Sequence, residues 1–363
     1  MKASLKALAT DFINWIFFDN EKFLKVEHQS VLQRLALKYS HEFYQELAYV
    51  LLEKIQVYYE EKLIFQKDFD HKANHHVMML LSLLPYCDFD NIEAIEIPLW
   101  SEHKSKWQLK AFQLRFLNLG KYIFHDPKRA LLLSPVHPDQ KDKKDTYLLI
   151  FMGTHPLPTS PGWQVGICAD SSPFMNFGEL ILSVFEKEIF EVIDLIVHAK
   201  KADLICTGHS LGGALSLLLF QKKPEITKVY ALNPPRFINP PKKINAKDAQ
   251  CTVYVQKGDF LQQVGMMWPH WTKVVVLDLP VSSGQKIWPI MAHCRCYSAH
   301  QGCTITEPKG DPYQSHLSYS LRYLTTSLWQ ILTLPLFILH ALWLVVYHLL
   351  RELFHKANIF KSP

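Results

Sequence analysis

The stretch "ICTGHSLGGALSLL", residues 205–218, sets one serine among three glycines and runs on into an apolar segment. The chain has only 13 glycines in 363 residues, where a frequency of about 7% is usual. Glycine is needed where the backbone takes a positive φ or where another group approaches closely. The cluster at Gly208, Gly212 and Gly213 therefore indicates a tight turn with a demanding geometry.

The residues around this cluster predict a buried strand, "DLICTG", that meets a helix, "SLGGALSLLLF", through one sharp turn. Gly208 to Gly212 then form a G-x-S-x-G motif in its strand-to-helix context, which exposes the Ser210 hydroxyl as a nucleophile. The N–H of Leu211, at the start of the helix, is a natural donor to a developing oxyanion. A serine that only caps the helix would need no flanking glycines.

A serine hydroxyl needs a base to take its proton and an acid to orient that base. In the fold that carries the G-x-S-x-G turn between a strand and a helix, the three residues follow along the chain in the order Ser, Asp, His. Asp259 follows the predicted strand "CTVYVQ" and is the predicted acid, with Asp278, after "TKVVVL", as the alternative. His316, in a polar loop that opens a helix, is the predicted base. His293 and His300 compete with it but lie among cysteines.

Short apolar or β-branched runs alternate with helical patterns from about residue 111 onward. Such alternation predicts a mostly parallel sheet covered by helices on both faces. We therefore expect a helical N-terminal extension over residues 1–110 and an α/β domain over residues 111–324. The predicted strands are "KYIFHD", "ALLLSPV", "TYLLIFMG", "DLICTG", "KVYALN", "CTVYVQ" and "TKVVVLDL".

The segment "LICTGHSLGGALSLL" resembles the nucleophile region of the class 3 lipase family. The similarity continues in the family's order through "YLLIFMGT", "YALNPPRFIN", "YVQKGDF" and "SHLSY", over roughly residues 120 to 324. The resemblance implies an α/β-hydrolase fold and a cofactor-free serine esterase that acts on acylglycerols and related lipids. Carried over by position, it implies Ser210 as nucleophile, Asp259 as acid, His316 as base, and the N–H groups of Thr154 and Leu211 as the oxyanion hole.

Three positions depart from the family's pattern. Met152 stands where the family usually has arginine, Asn233 stands where it usually has glycine, and no proline soon follows Asp259. The third departure leaves the acid open between Asp259 and Asp278. The loop-like residues 155–176 lie where similar lipases carry a lid, and Trp163 and Phe174 are its candidate contacts with a lipid surface.

Composition excludes other classes of protein. The chain is 48% hydrophobic and 20% charged with a net charge of +5, typical of a globular protein. It has neither a basic helix interleaved with aromatics nor a glycine-rich phosphate loop, so we expect no nucleic-acid partner. The cluster "HCRCYSAHQGC", residues 293–303, matches no paired Cys-x-x-Cys framework, so we expect no metal site.

The chain's location is predicted from its ends and its cysteines. Asp11 interrupts the first apolar stretch before a secretory signal can form, and the seven cysteines are an odd number, so we expect an intracellular, reducing compartment. Between Arg322 and Arg351 there are 28 residues without Lys, Arg, Asp or Glu. We expect a hydrophobic C-terminal helix over 325–363 that associates with a membrane; docking on the soluble core is the alternative.

The predicted function is hydrolysis of acyl esters, with acylglycerols or phospholipids as substrates, through an acyl-enzyme on Ser210. An acyltransferase or thioesterase would use the same triad and differ only in acceptor and leaving group. A catalytically silent hydrolase scaffold bound to a membrane is the alternative from another class, although it would have no physical reason to keep all three triad residues.

Overall fold

The computed structural model describes a large part of the chain but not all of it. Residues 155–174, which include most of the predicted lid, lie outside the described residues, as do the strand predicted at 121–126, His300 and His316. The described residues are 71–87, 92–101, 106–118, 128–137, 144–154, 175–239, 250–278, 304–306 and 323–328, with 7, 49, 51–53, 55, 244, 293, 320, 321, 331, 332, 335, 338 and 342.

Nine of the described strands form one sheet in which the strands lie side by side in chain order. The neighbours from β4 to β8 pair in parallel, whereas β1 to β4 and the pair β8 and β9 are antiparallel. The strands are β1 Ala94–Ser101, β2 Lys106–Asn118, β3 Lys128–Pro135, β4 Thr146–Phe151, β5 Asp203–His209, β6 Lys228–Leu232, β7 Cys251–Gln256, β8 Lys273–Asp278 and β9 Thr304–Thr306.

The sheet begins earlier in the chain than the sequence analysis places it. The predicted boundary between a helical extension (1–110) and the α/β domain falls inside β2, and β1 lies wholly within the predicted extension. The physical reason is a period of two: Ile95, Ile97 and Leu99 are buried while Glu96 is exposed, the alternation of a strand covered on one face. The central strand β7 is instead buried at every position.

Helices cover the sheet and surround its hydrophobic core. Helix α1 spans His71–Leu83 and ends where Pro85 enters a short 3₁₀ turn, Leu84–Tyr86. Helix α2 spans Glu179–Asp194 and continues as a π-helical turn, Leu195–Ala199; helix α3 spans Leu211–Lys222. Helix α3 confirms the helix predicted from "SLGGALSLLLF". The apolar side chains of α2 and α3 pack with those of β3 to β8 into one core, and residues 211–220 are buried without exception.

A further helical stretch follows the sheet at residues 320, 321 and 323–328, and residues 331, 332, 335, 338 and 342 are also helical. The Thr326 hydroxyl is buried and accepts a hydrogen bond of 2.8 Å from the Gly265 N–H. Within the described part of the chain, no helix combines the length and the apolar character that crossing a bilayer requires.

Candidate active site

The turn between β5 and α3 has the strained backbone that the sequence predicts. Ser210 has φ 57° and ψ −124°, a positive φ that L-residues adopt only when the surrounding structure enforces it. The N–H of Ser210 donates to the Leu232 carbonyl at the end of β6 (2.9 Å), and its own carbonyl accepts from the Ala214 N–H in the first turn of α3 (3.1 Å). These bonds fix the nucleophile's backbone between strand and helix.

The flanking glycines allow strand and helix to meet so closely. A Cβ at Gly208 would lie 2.4 Å from the Gly212 carbonyl carbon, and a Cβ at Gly212 would lie 2.3 Å from the Phe151 carbonyl oxygen. Both distances are shorter than any side chain tolerates, and both contacts are with backbone. The glycines of the motif therefore let the backbones of β5 and α3 approach each other closely, and they let α3 lie against the end of β4.

Three polar side chains meet beside this turn. The Nε2 atom of His293 lies 2.9 Å from Ser210 Oγ, and its Nδ1 atom lies 2.9 Å from Asp259 Oδ2. Because the Asp259 carboxylate can only accept, Nδ1 carries the proton and Nε2 is left to accept the Ser210 hydroxyl proton. His293 is 9% exposed and Asp259 2% exposed. Water therefore screens the electrostatic interaction between the two side chains only weakly.

Asp259 is held by the loop that leaves β7. Its Oδ1 accepts from the Leu261 N–H at 2.9 Å, and it caps the 3₁₀ turn Phe260–Gln263. Gln262 Nε2 lies 3.5 Å from Oδ2, the oxygen that faces His293. The carboxylate therefore has one oxygen fixed by backbone and the other directed at the imidazole, a geometry that orients a base.

The alternative acid does not reach this site. Asp278, at the end of β8, pairs with the Lys257 ammonium at 2.6 Å, and both side chains are well exposed. It therefore forms a surface ion pair, while Asp259 contacts the imidazole.

The base predicted from the sequence requires a correction. His293, which the sequence analysis names only as a competitor of His316, occupies the space between the hydroxyl and the carboxylate. His316 lies outside the described residues. Since one imidazole fills that space with both of its nitrogen atoms engaged, His293 is the histidine that this structure places between Ser210 and Asp259. The signal in the sequence is only the order Ser, Asp, His, which His293, His300 and His316 satisfy equally.

A second histidine lies against the first. His209 Nε2 is 2.9 Å from the main-chain oxygen of His293, and the two rings lie 4.8 Å apart between centroids. A carbonyl oxygen only accepts, so His209 donates through Nε2–H. Burial, followed by the proximity of His293, lowers the pKa of His209 to about 3, even though the bond to the carbonyl acts in the opposite direction. His209 therefore stays neutral when His293 takes up a proton.

This lowered pKa of His209 has a consequence for stability. An unfolded histidine has a pKa of about 6.5 and binds a proton there, whereas folded His209 stays neutral. We therefore expect the contribution of His209 to the free energy of unfolding to be fully present above that pH. It is lost as pH falls toward 3, by up to about 1.4 kcal/mol per pH unit. His209→Gln, which keeps an N–H donor but does not titrate, should flatten the pH dependence of the urea midpoint. His270→Gln, at an exposed position, is the control, and equal slopes in both variants would contradict the expectation.

One of the two predicted oxyanion-hole residues adjoins Ser210 in the chain, and the other lies in the segment that leaves β4. Leu211 follows Ser210 at the start of α3, and Thr154 follows Gly153 at the end of β4. A Cβ at Gly153 would lie 3.5 Å from Ser210 Cβ and 2.5 Å from Tyr86 Oη. The Tyr86 hydroxyl and the Ser210 side chain therefore both lie beside Gly153. The sequence did not predict this position of Tyr86, because Tyr86 belongs to the expected helical extension.

The side chains that could hold a metal ion lie in a different part of the structure from Ser210, His293 and Asp259. In the described portion of the chain, the ligand atoms of Asp194, His198 and Glu225 lie within 4.8 Å of one another. Lys223 Nζ lies 2.7 Å from Asp194 and 3.5 Å from Glu225, so both carboxylates already pair with one ammonium. Of the cluster at residues 293–303, only His293 is described, and it is engaged in the triad geometry.

Comparison with known proteins gives one family similarity. Residues 164–264, which include Ser210 and Asp259, match the family model of lipase (class 3). The chain has no match among curated proteins.

Similar solved structures include three fungal lipases. Lip2 lipase from Yarrowia lipolytica is 20% identical, covers 41% of this chain and 64% of its own length, and gives a TM-score of 0.29. Lipase II from Rhizopus niveus is 14% identical over 74% of this chain and 88% of its own, with a TM-score of 0.30. The triacylglyceride lipase of Rhizomucor miehei is 13% identical over 68% of this chain and 91% of its own, also with a TM-score of 0.30.

The matched range contains the turn of Ser210, its glycines and the loop that carries Asp259. This part of the chain, residues 164–264, is therefore similar to the class 3 lipase family.

Proposed function

We propose that the protein hydrolyses acyl esters of lipids, acylglycerols or phospholipids, through a covalent acyl-enzyme on Ser210. The observation that carries the proposal is the continuous chain of hydrogen-bond distances from Ser210 Oγ to His293 and from His293 to Asp259, each 2.9 Å. A hydroxyl, a neutral imidazole and a buried carboxylate in this order are the parts that activate a serine.

In the first half of the reaction, Ser210 Oγ attacks the ester carbonyl carbon while His293 Nε2 takes the hydroxyl proton. Asp259 stabilises the imidazolium that forms without itself taking the proton. The tetrahedral intermediate carries its negative charge on the former carbonyl oxygen, and the N–H groups of Leu211 and Thr154 are the proposed donors to it. His293 then gives its proton to the leaving alkoxide, and the C–O bond of the ester breaks.

In the second half, a water molecule attacks the acyl carbon of the ester formed on Ser210. His293 takes a proton from that water and returns it to Ser210 Oγ, so the fatty acid leaves and the enzyme is restored. An alcohol in place of water would make the protein an acyltransferase, and a thiolate leaving group would make it a thioesterase. The triad geometry is the same for all three reactions, and we favour water because it needs no second binding site.

A fluorophosphonate probe tests the proposal directly, because it phosphonylates only activated serines. We expect the full chain, in buffer containing a mild detergent, to be labelled on the peptide that carries Ser210, with fatty-acid release from a triacylglycerol or phosphatidylcholine emulsion. No labelling and no fatty-acid release would favour the catalytically silent scaffold instead. Labelling without release from esters, but with acyl transfer to an added alcohol, would favour the acyltransferase.

We also propose that the C-terminal helical residues lie on a lipid surface. Apolar side chains are exposed there at spacings of three and four residues, which places them along one face of a helix. Ile331 is 65% exposed and Leu332 71% exposed, fractions that water does not favour for aliphatic side chains. The exposed aliphatic residues are Leu321, Leu324, Leu328, Ile331, Leu332, Ile338 and Leu342, whereas Tyr323, 63% exposed, lies off that face.

A bilayer surface suits this face better than a protein partner does. The 28 residues between Arg322 and Arg351 carry no Lys, Arg, Asp or Glu, so the segment lacks the charged rim of an ordinary protein interface. The bond from Gly265 N–H to Thr326 ties the first turn to the loop that follows Asp259. A helix anchored there and immersed at the lipid surface would keep the active site beside its substrate.

The double variant Ile331→Glu with Leu342→Glu tests whether this stripe of exposed aliphatic side chains contacts lipid. We expect flotation with phosphatidylcholine vesicles to fall at least about 10-fold, since each buried aliphatic side chain contributes about 1.5–3 kcal/mol and a carboxylate opposes immersion. Leu195→Glu replaces a residue that is 51% exposed at the end of α2 and should float as the wild type does. Equal flotation of all three proteins would show that the stripe does not contact lipid.

A further inference from the structure

Asn233 occupies a backbone position that few residues tolerate. It follows the last residue of β6 and has φ 45°, in the left-handed region. Glycine adopts this conformation without strain, and asparagine is the side chain that most often replaces it there. Asn233 is only 3% exposed, so its amide must be satisfied within the protein.

The amide of Asn233 bonds to two neighbouring elements. Its Oδ1 accepts from the Gln256 N–H at 2.7 Å, and its Nδ2 donates to the main-chain oxygen of His293 at 3.2 Å. The reverse orientation of the amide would set oxygen against the His293 oxygen and nitrogen against an N–H, so the two contacts fix which atom is which. The Asn233 N–H also donates to the Tyr254 oxygen at 2.8 Å.

These contacts join the two supports of the triad. Gln256 is the last residue of β7, and its carbonyl accepts from the Asp259 N–H at 3.1 Å. The Asn233 side chain thus spans from the strand end that carries the acid to the main chain of the base. His293 lies beyond β8 in the chain, so its backbone depends on such contacts to hold its place beside Ser210.

The main-chain oxygen of His293 receives a second donor, the Nε2–H of His209 at 2.9 Å. A carbonyl oxygen has two lone pairs, and here both have an N–H partner within 3.2 Å. Both donors are neutral, so neither adds a charge that would oppose the imidazolium of the transition state. The two donors come from the ends of β5 and β6, neighbouring strands in the sheet.

We propose that Asn233, together with His209, is a positioning residue that clamps the His293 main chain and so directs the imidazole at Ser210. The inference rests on the triad function proposed above and adds a residue to it. Neither Asn233 nor His209 has a hydrogen bond to Ser210 Oγ among the described contacts; they act through the backbone of the base. A displacement of about 1 Å in a base can cost on the order of 100-fold in rate.

Asn233→Gly tests the clamp with little backbone penalty, because glycine accepts the same φ while removing the amide. We expect kcat for ester hydrolysis to fall about 10- to 100-fold with KM unchanged. Gln250→Ala is the matched control: it removes an amide that donates to the carbonyls of Pro224 and Ile226, near the start of β7 and therefore at the other end of the strand. It should lower the melting temperature but leave kcat as in the wild type.

Asn233→Asp tests the proposal through the pH profile of kcat/KM, whose midpoint a purely structural role of Asn233 would leave unchanged. The aspartate keeps an oxygen for the Gln256 N–H but brings a negative charge near the imidazole, which stabilises the protonated His293. Since the base must be neutral to act, we expect the acidic limb of the kcat/KM profile to move to higher pH in this variant. The profile of Asn233→Gly should keep the wild-type midpoint at a reduced height.

The low-field proton resonance of the bond between His293 and Asp259 reports the same positioning without turnover. We expect this resonance to broaden or shift in Asn233→Gly and to stay unchanged in Gln250→Ala. Wild-type kcat together with an unchanged resonance in Asn233→Gly would overturn the inference while leaving the ester-hydrolase proposal intact. A wild-type protein that neither labels nor hydrolyses would instead overturn the proposed function, and the resonance would then decide the clamp alone.

Discussion

Replacing Ser210 with alanine is expected to lower kcat for ester hydrolysis by about 10⁴- to 10⁶-fold. The hydroxyl of Ser210 is the only group at its position that can form the acyl-enzyme, and its Oγ lies 2.9 Å from His293 Nε2. Without it, His293 and the oxyanion donors can only assist a direct attack by water, which retains a small part of the acceleration. Fatty-acid release from an emulsion measures the loss, and fluorophosphonate labelling should disappear with it.

The same helix offers a matched control in Ser216. Its hydroxyl is buried and donates to the Gly212 carbonyl at 2.9 Å, within α3 and away from the imidazole. Ser216→Ala removes one hydrogen bond, worth about 1 kcal/mol of stability, and should leave kcat within a factor of two or three. If Ser210→Ala kept more than about a tenth of the wild-type rate, the acyl-enzyme mechanism would have to be abandoned.

The turn that carries Ser210 was predictable from the sequence because its constraints are local. A strand, a turn and a helix lie within residues 203–222, and the glycines report directly that strand and helix backbones touch. The position of Asp259 near Ser210 was also predictable, since Asp259 follows β7 by three residues and the carboxyl ends of parallel strands share an edge. Short connections carry this information because they leave the chain few alternative paths.

The base was not predictable in the same way. Asp278 ends β8 and Thr304 begins β9, and His293 lies between them, too far along the chain from either strand for its register to fix the direction of the side chain. The surrounding cysteines in "HCRCYSAHQGC" favoured a reading of that segment as something other than catalytic. What places His293 is tertiary: the two donors on its main-chain oxygen, from His209 and Asn233.

The start of the sheet was missed for a related reason. The run from Ile95 to Leu99 alternates buried and exposed side chains over a few residues only, and Pro98 interrupts it. Such a short period-two pattern competes poorly with the long apolar helix patterns that precede it. The consequence reaches the site, because Tyr86, from the segment read as a separate extension, contacts the Gly153 turn.

The second large effect is expected when His293 and His316 are replaced separately. His293→Ala removes the group that takes the Ser210 proton and gives it to the leaving alkoxide, so kcat should fall about 10³- to 10⁶-fold. Labelling by the fluorophosphonate should slow in parallel, because an unassisted serine hydroxyl is a poor nucleophile. His316→Ala should keep kcat within about threefold of the wild type, since both the hydroxyl and the carboxylate already have His293 as their partner.

His293→Gln sharpens this comparison. Glutamine keeps a polar group of similar size beside Asp259 but has no basic nitrogen atom, so it should be as inactive as alanine while retaining more of the wild-type stability. If His316→Ala instead abolished hydrolysis and His293→Ala did not, the active enzyme would use a different arrangement, in which His316 replaces His293 beside Ser210. Loss of activity in both variants, with only His293→Ala losing the low-field resonance, would place His316 in substrate binding and leave His293 as the base.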